Sequence, residues 1–497
     1  MVVGGILALG AVFGPAADAA ATAGKPGLEA AECWFKIPKL QKARCGYLTV
    51  PENHAKPSGR MVRLPVVIIE ATSGKSKADP VVFLTGGPGQ AIGVDKAGIE
   101  QWWAIAEYWP WTRSRDLILF EQRGNGMSEP GLNCTEADER GSEFLQSLND
   151  RDRIRKIYSE AIAACRARLV AEGIDPDLYG TRDTVKDLTA LRRALRIKQW
   201  NLLGVSYGTR LALAAMRDAP EGIRSVILDS PYPPEIRAYE SMAEGVDAAF
   251  RRLFETCANS QYCKVRYPNL EKAIFEHIEI LDTRPIQVTI ADPRDGSPLT
   301  IDMTGDTFVE LTRYSLAFSD SRFSMPAYLD AVAGVDAPVL ESIMTGMVDQ
   351  YFGFGTDDFS EGKYFAVECV EEIPFNDPAR VREQSEKYRR FAGFGYQLED
   401  LAACEAWPKE ELDAGLKAPI ESRIPTLVLS GQLDPITPVE YGRTAASRLA
   451  NGYFFEVPRR GHSLVTTSEC AIGIAHDFVD KPQVKPNGAC LEKKERY

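Results

Sequence analysis

Residues Trp200-Asn201-Leu202-Leu203-Gly204-Val205-Ser206-Tyr207-Gly208-Thr209 decide how this chain is read. An apolar run ends in Gly-x-Ser-x-Gly and passes into a helical pattern, Arg210 to Asp218, that stops at Pro220. Strand, sharp turn and helix in that order make a nucleophile elbow, which lifts a serine hydroxyl clear of a sheet edge. The turn is strained, by roughly 1–3 kcal/mol. Gly204 and Gly208 let strand and helix pass close together because neither has a side chain. The pentapeptide also arises by chance, so its weight depends on what surrounds it.

Both flanks carry the pattern of a doubly wound sheet. Upstream, Cys45 to Pro51, Met61 to Ala71, Asp79 to Thr85 and Arg115 to Phe120 read as strands. Continuous apolar runs of this length suit strands buried on both faces. The third ends in Gly86-Gly87-Pro88-Gly89, the fourth in Glu121-Gln122-Arg123-Gly124-Asn125-Gly126-Met127-Ser128. Asp152 to Glu172 and Thr184 to Leu195 follow as helices, the second with Thr184 and Asp187 spaced as a capping box. Ile223 to Asp229 is the next strand. The alternation stops after Pro233-Pro234. Beyond it lie helical patterns at Glu244 to Cys257, Leu270 to Leu281 and Arg380 to Phe391, and a hairpin over Ile286 to Ile301. Strand and helix then resume at Pro425 to Ser430, Tyr441 to Leu449, Tyr453 to Val457 and Ala471 to Val479. A pattern that resumes argues for an insertion laid over the sheet edge; an independent second domain is the alternative. The expected organisation is a leader over 1–23, a sheet-bearing core over 24–235, a cap over 236–419, and the rest of the core over 420–497.

The leader is an apolar and glycine run, Val2 to Phe13, followed by small-x-small cleavage candidates at Ala17-Asp18-Ala19 and Ala21-Thr22-Ala23. This is the pattern of a secretory signal peptide, although no basic residue precedes Lys25. The run is short for a membrane span, which needs about 20 residues. Ten cysteines fit export. None forms a Cys-x-x-Cys pair, which argues against metal ligation. Neighbour pairing (33–45, 134–165, 257–263, 369–404, 470–490) is the expected connectivity, with buried thiols in a reduced protein as the alternative. Secretion or a periplasmic location follows from the export reading. The net charge of −12 argues against a nucleic-acid partner. It serves solubility or favours cationic and amine-bearing ligands.

A serine hydroxyl needs a base to take its proton and a carboxylate to orient that base. On a sheet of this kind the chain order is serine, acid, histidine. The chain has four histidines. His54 precedes the elbow, and His277 and His476 lie within helical patterns. His462 follows the strand Tyr453 to Val457 in a loop, where the base belongs. Asp434 follows the preceding strand and is the one carboxylate in its loop before Glu440, so it is the expected acid. Charge developing on the carbonyl oxygen needs fixed N–H donors. Tyr207 is expected to supply one and Gly87 the other, since Pro88 has no N–H.

Gly86-Gly87-Pro88-Gly89, the Glu121 to Ser128 motif, the Gly204 to Thr209 elbow and Gly431-Gln432-Leu433-Asp434-Pro435-Ile436-Thr437-Pro438 together resemble the α/β-hydrolase serine peptidases of the prolyl and tripeptidyl aminopeptidase type, the tripeptidyl branch more closely. The resemblance spans roughly residues 45–480, strong over the sheet motifs and weak over the cap. Thr85 stands where histidine often precedes the glycines, and Glu121 where aspartate is common. The resemblance implies the α/β-hydrolase fold with a large, mainly helical cap, and cleavage near the free N-terminus of peptide substrates. It also implies a group that binds the substrate ammonium. Phe365-Ala366-Val367-Glu368-Cys369-Val370-Glu371-Glu372 is similar to a segment of that branch with an acidic residue two after the cysteine. Glu371 matches that place, and Glu368 and Glu372 lie nearby. A solvated acidic turn beside a disulfide is the competing reading. Arg123 is expected to organise its own loop. Nothing in the sequence suggests a metal or cofactor. A carboxylesterase or lactone hydrolase is the main rival on this fold. A hydrolase-derived binding protein is disfavoured by the full set of three candidate triad residues, and aspartate would stand at Ser206 in a dehalogenase.

Overall fold

The computed structural model describes residues 26–492 apart from 148–149, 293–295, 319–339, 343, 347, 349–357, 391–395 and 408–411. The proposed leader lies outside the described residues. Among the described residues nine strands form one sheet: β1 Gly27–Ala31, β2 Ala43–Pro51, β3 Met61–Ile69, β4 Val81–Leu84, β5 Leu117–Phe120, β6 Trp200–Val205, β7 Ile223–Asp229, and two later strands. A separate hairpin, β8 Ile286–Ala291 and β9 Pro298–Met303, sits between them in sequence. The later sheet strands are β10 Thr426–Gly431 and β11 Gly452–Val457. Their spatial order is β1-β2-β3-β5-β4-β6-β7-β10-β11. The first three pairings are antiparallel and the rest parallel.

The parallel half is buried on both faces, which is why β4, β5 and β6 read as unbroken apolar runs. One face packs under the helices Thr181–Ala194 and Tyr207–Asp218, through residues such as Leu188, Leu191 and Leu211. The other packs against Gly98–Tyr108 and Glu469–Asp480, through Trp102, Trp109 and Phe478. The chain therefore has the α/β-hydrolase fold with helical insertions, as its motifs imply.

The sequence boundaries shift in informative ways. The helix expected from Thr184 begins at Thr181, with Gly180 at its N-cap. Thr184 sits one turn inside and bonds back to the Gly180 carbonyl, while Asp187 turns to Arg123 and His54, so there is no capping box. Apolar clusters cross the expected boundary at 236. Phe144, Ile154 and Ile157, from before the elbow, share an apolar cluster with the cap residues Phe250, Leu299 and Phe308. Conversely Phe365, Ala366 and Cys369, from within the expected cap, pack into the sheet-side core. All five disulfides pair sequence neighbours: Cys33–Cys45, Cys134–Cys165, Cys257–Cys263, Cys369–Cys404 and Cys470–Cys490.

Candidate active site

The elbow is built by close approach. A Cβ on Gly204 would lie 2.3 Å from the Gly208 carbonyl oxygen, and one on Gly208 would lie 2.0 Å from that of Leu84. Only hydrogen fits at either place. Ser206 adopts φ 57° and ψ −126°, a conformation that L-residues hold only under constraint. Its N–H donates to the Asp229 carbonyl at the end of β7 (3.0 Å), and its own carbonyl accepts from Thr209.

The glycine loop after β4 lies against the elbow. A Cβ on Gly86 would sit 3.1 Å from the Ser206 Cβ. Gly87 and Gly89 take φ +99° and +100°, which suits glycine alone. The second motif buttresses this loop: Gln122 donates to the Thr85 carbonyl (3.1 Å) and Asn125 to that of Gln90 (2.8 Å). The buried Glu121 carboxyl accepts from the Ile92 N–H. Arg123 grips the Asp187 carboxylate and the carbonyls of Pro51, Glu52 and Leu178, an organising role as expected. Tyr207 is the first residue of its helix, so its N–H has no acceptor within the helix.

Asp434 and His462 meet as their chain order suggested. The His462 Nδ1 lies 2.8 Å from the Asp434 Oδ2, and both residues are buried. The other Asp434 oxygen accepts from the N–H groups of Ile436 (2.8 Å) and Thr437 (2.9 Å). The Thr437 hydroxyl donates to Asp434 (2.8 Å) and sits 3.2 Å from the His462 Nδ1. Burial alone would push the imidazolium down. The Asp434 carboxylate, through its charge and hydrogen bond, outweighs that and holds His462 above its ordinary value. The helix Gly305–Phe318 also reaches His462. The His462 N–H donates to the Ala317 carbonyl at the end of the helix Gly305–Phe318, and the Phe318 ring meets the imidazole edge-on.

The three cap glutamates are buried, so the solvated-turn reading is wrong. They are not equivalent. Glu372 is saturated: Arg210 and Lys417 hold one oxygen, and the Ala238 N–H and Asn376 hold the other. It is a structural anion, which withdraws it from amine binding. Glu371 accepts from the Thr181 N–H and hydroxyl, both at 2.6 Å, and that hydroxyl also meets the Tyr207 phenol. Glu368 has the Tyr239 phenol at 3.3 Å. Burial, with Glu372 nearby, pushes its carboxyl up to about 8. Sequence reasoning missed Thr437, Thr181 and Arg210. The first stood in plain view, three residues after Asp434; the other two signal nothing locally.

A family model described as the alpha/beta hydrolase fold matches residues 79–265, and one described as TAP-like protein matches residues 391–490. The chain is an α/β hydrolase in fold, with a TAP-like match in its C-terminal part. Among its relatives, serine protease Hip1 of Mycobacterium tuberculosis (strain ATCC 25618 / H37Rv) is 26% identical over 441 residues, 82% of this chain and 79% of that protein. Tripeptidyl aminopeptidase of Streptomyces lividans is 32% identical over 233 residues, 44% of this chain and 41% of that protein. Carboxylesterase B of M. tuberculosis (strain CDC 1551 / Oshkosh) is 25% identical over 434 residues, 83% of this chain and 79% of that protein. This α/β hydrolase is thus an enzyme of the serine peptidase type. Among its described residues no helix is long and apolar enough to cross a membrane.

Proposed function

We propose that this enzyme is an exported serine aminopeptidase that cuts peptides near a free N-terminus. The observation that carries the reading is the buried Asp434–His462 couple, at 2.8 Å, from the strand ends beyond the Ser206 elbow. Asp434 fixes the imidazole through Nδ1, leaving Nε2 to take the proton of the Ser206 hydroxyl. Ser206 attacks the scissile carbonyl, and the N–H groups of Tyr207 and Gly87 stabilise the oxyanion. The amine leaves with the proton from His462, and water releases the N-terminal fragment from the acyl-enzyme.

Amine recognition falls to Glu368, with Glu371 behind it. Both sit on the segment that follows residues 358–360, which pair with the glycine loop through Ser360 N–H to Gly89 and Ala91 N–H to Asp358. A carboxyl held near 8 by burial ionises when an ammonium docks beside it. Export rests on the leader pattern and on the five disulfides.

The test compares free and N-acetylated tripeptidyl arylamides. Free peptides are expected to be the better substrates, Ser206→Ala to abolish turnover, and Glu368→Gln to raise KM for free peptides alone. Equal rates on free and blocked peptides would refute the aminopeptidase reading. The likeness to carboxylesterase B keeps an esterase as the second reading. It predicts faster turnover of simple acyl esters than of any peptidyl arylamide.

A further inference from the structure

Asp229 takes no part in the triad, yet it touches both ends of it. It ends β7, between the nucleophile strand β6 and the acid strand β10. Its backbone carbonyl accepts the Ser206 N–H at 3.0 Å. Its carboxylate reaches the other way. Oδ1 accepts from the Leu464 N–H (3.0 Å) and Oδ2 from the Val465 N–H (2.7 Å), just beyond His462. Ser230 extends the grip: its hydroxyl donates to Asp229 Oδ1 (3.1 Å) and accepts the Ser463 N–H (2.9 Å). Its own N–H binds the Leu429 carbonyl on β10. Ser230 and Ser463 both hold positive φ, 56° and 66°, so two strained turns meet at this point. Asp229 is fully buried.

We infer that Asp229 is a positioning residue, a clasp that sets the distance between the Ser206 turn and the His462 loop and adds a second negative charge facing the imidazole. The inference rests on the proposed roles of Ser206 and His462. Charged groups face the imidazole from three elements. Asp434 comes from the β10 loop and Asp229 from β7, and both favour the imidazolium. Arg313, on the cap helix and paired with Glu310, opposes it. The Ser206 elbow contributes no charge. Burial holds the Asp229 carboxyl up at about 6, so it is ionised above that pH, where a neutral base works.

Asp229→Asn keeps the shape but removes the charge, and it turns an amide N–H toward a backbone N–H. The experiment uses the full chain, a fluorophosphonate that labels an activated serine, and a tripeptidyl arylamide. The labelling rate and kcat are expected to fall by about 10²-fold, the effect of a misplacement near 1 Å, with KM nearly unchanged. The acid limb of kcat/KM is expected to move to lower pH, because losing a nearby negative charge disfavours the imidazolium. A lower melting temperature with an unmoved acid limb and a wild-type rate per labelled site would mark a merely structural residue and overturn the clasp. Should Asp229→Asn fail to fold, Ser230→Ala removes the hydroxyl that links Asp229 Oδ1 to the Ser463 N–H and leaves the Asp229 bonds to Leu464 and Val465 in place. It is expected to lower kcat several-fold at constant KM, and a wild-type kcat in that variant overturns the clasp equally. Absence of label on Ser206 in the wild-type chain refutes the nucleophile itself, and the clasp with it; a labelled wild type beside an unaltered variant refutes the clasp alone.

Discussion

Glu372→Gln separates a structural anion from a substrate ligand. Glu372 has no exposed surface, and its carboxylate is the shared partner of the buried Arg210 and the partly buried Lys417. Arg210 Nη2 lies 2.6 Å from one oxygen and Lys417 Nζ 2.5 Å from the same oxygen. Burial would raise the carboxyl, and the two cations pull it below the usual range instead. Lys417 is itself pushed down to about 8 by burial first and by Arg210 second, so it depends on Glu372 to stay charged. Glutamine removes the charge and turns an amide N–H toward two donors. The Ala238 and Asn376 bonds to the other oxygen survive, since the amide oxygen can replace it. Breaking a buried ion pair from one side costs about 3–5 kcal/mol. With two cations stranded and two hydrogen bonds kept, the loss is expected within that range. Urea unfolding of wild type and variant measures it. KM for free and N-acetylated peptides is expected to change by the same factor. A loss below about 1 kcal/mol, the scale of an exposed pair, or a KM defect confined to free peptides, refutes the assignment and returns Glu372 to the amine site.

Thr437→Val deprives the buried Asp434 of one donor and should cut kcat about tenfold, equivalent to about 1.4 kcal/mol, with KM little changed; steady-state kinetics with one arylamide decide it. Because Asp434 holds His462 above its ordinary value and the base must be neutral, the acid limb of kcat/KM is expected above the free-imidazole pKa of about 6.5. A pH profile flat from 5 to 8 contradicts this. Gly208→Ala drives a methyl to 2.0 Å from the Leu84 carbonyl oxygen, backbone that has no room to yield. A loss of about 3 kcal/mol or more is expected in a thermal melt, with Gly473→Ala, inside the helix Glu469–Asp480 and meeting nothing within 4 Å, as the control that gains about 0.5–1 kcal/mol.

Legibility followed the range of the interactions. The elbow, the glycine loop, and the order of Ser206, Asp434 and His462 were readable because each rests on a local pattern: a strand, a turn residue, a helix start. The disulfides were readable because each pairs sequence neighbours. The capping box at Thr184 misled because Asp187 spends its carboxylate on Arg123, 64 residues away. The apolar faces on both sides of the elbow that pack into one cluster carry no local signal of that partnership.

The glutamate cluster shows where sequence stopped. Glu368, Glu371 and Glu372 look alike as letters, and their spacing marks the segment as acidic. What each does depends on partners brought from elsewhere: Arg210 from the elbow helix, Lys417 from the end of the cap, Thr181 from the helix start under the sheet. Asp229 is the same case, an unremarked strand end that holds Ser206 with its backbone and the His462 loop with its side chain. By itself the sequence determined the α/β-hydrolase fold and the three candidate triad residues, because periodicity and turn chemistry act over a few residues. Only the tertiary structure decided which carboxylates are saturated, and which side chain links the Ser206 turn to the His462 loop. Burial and charge compensation are set by contacts between segments far apart in the chain.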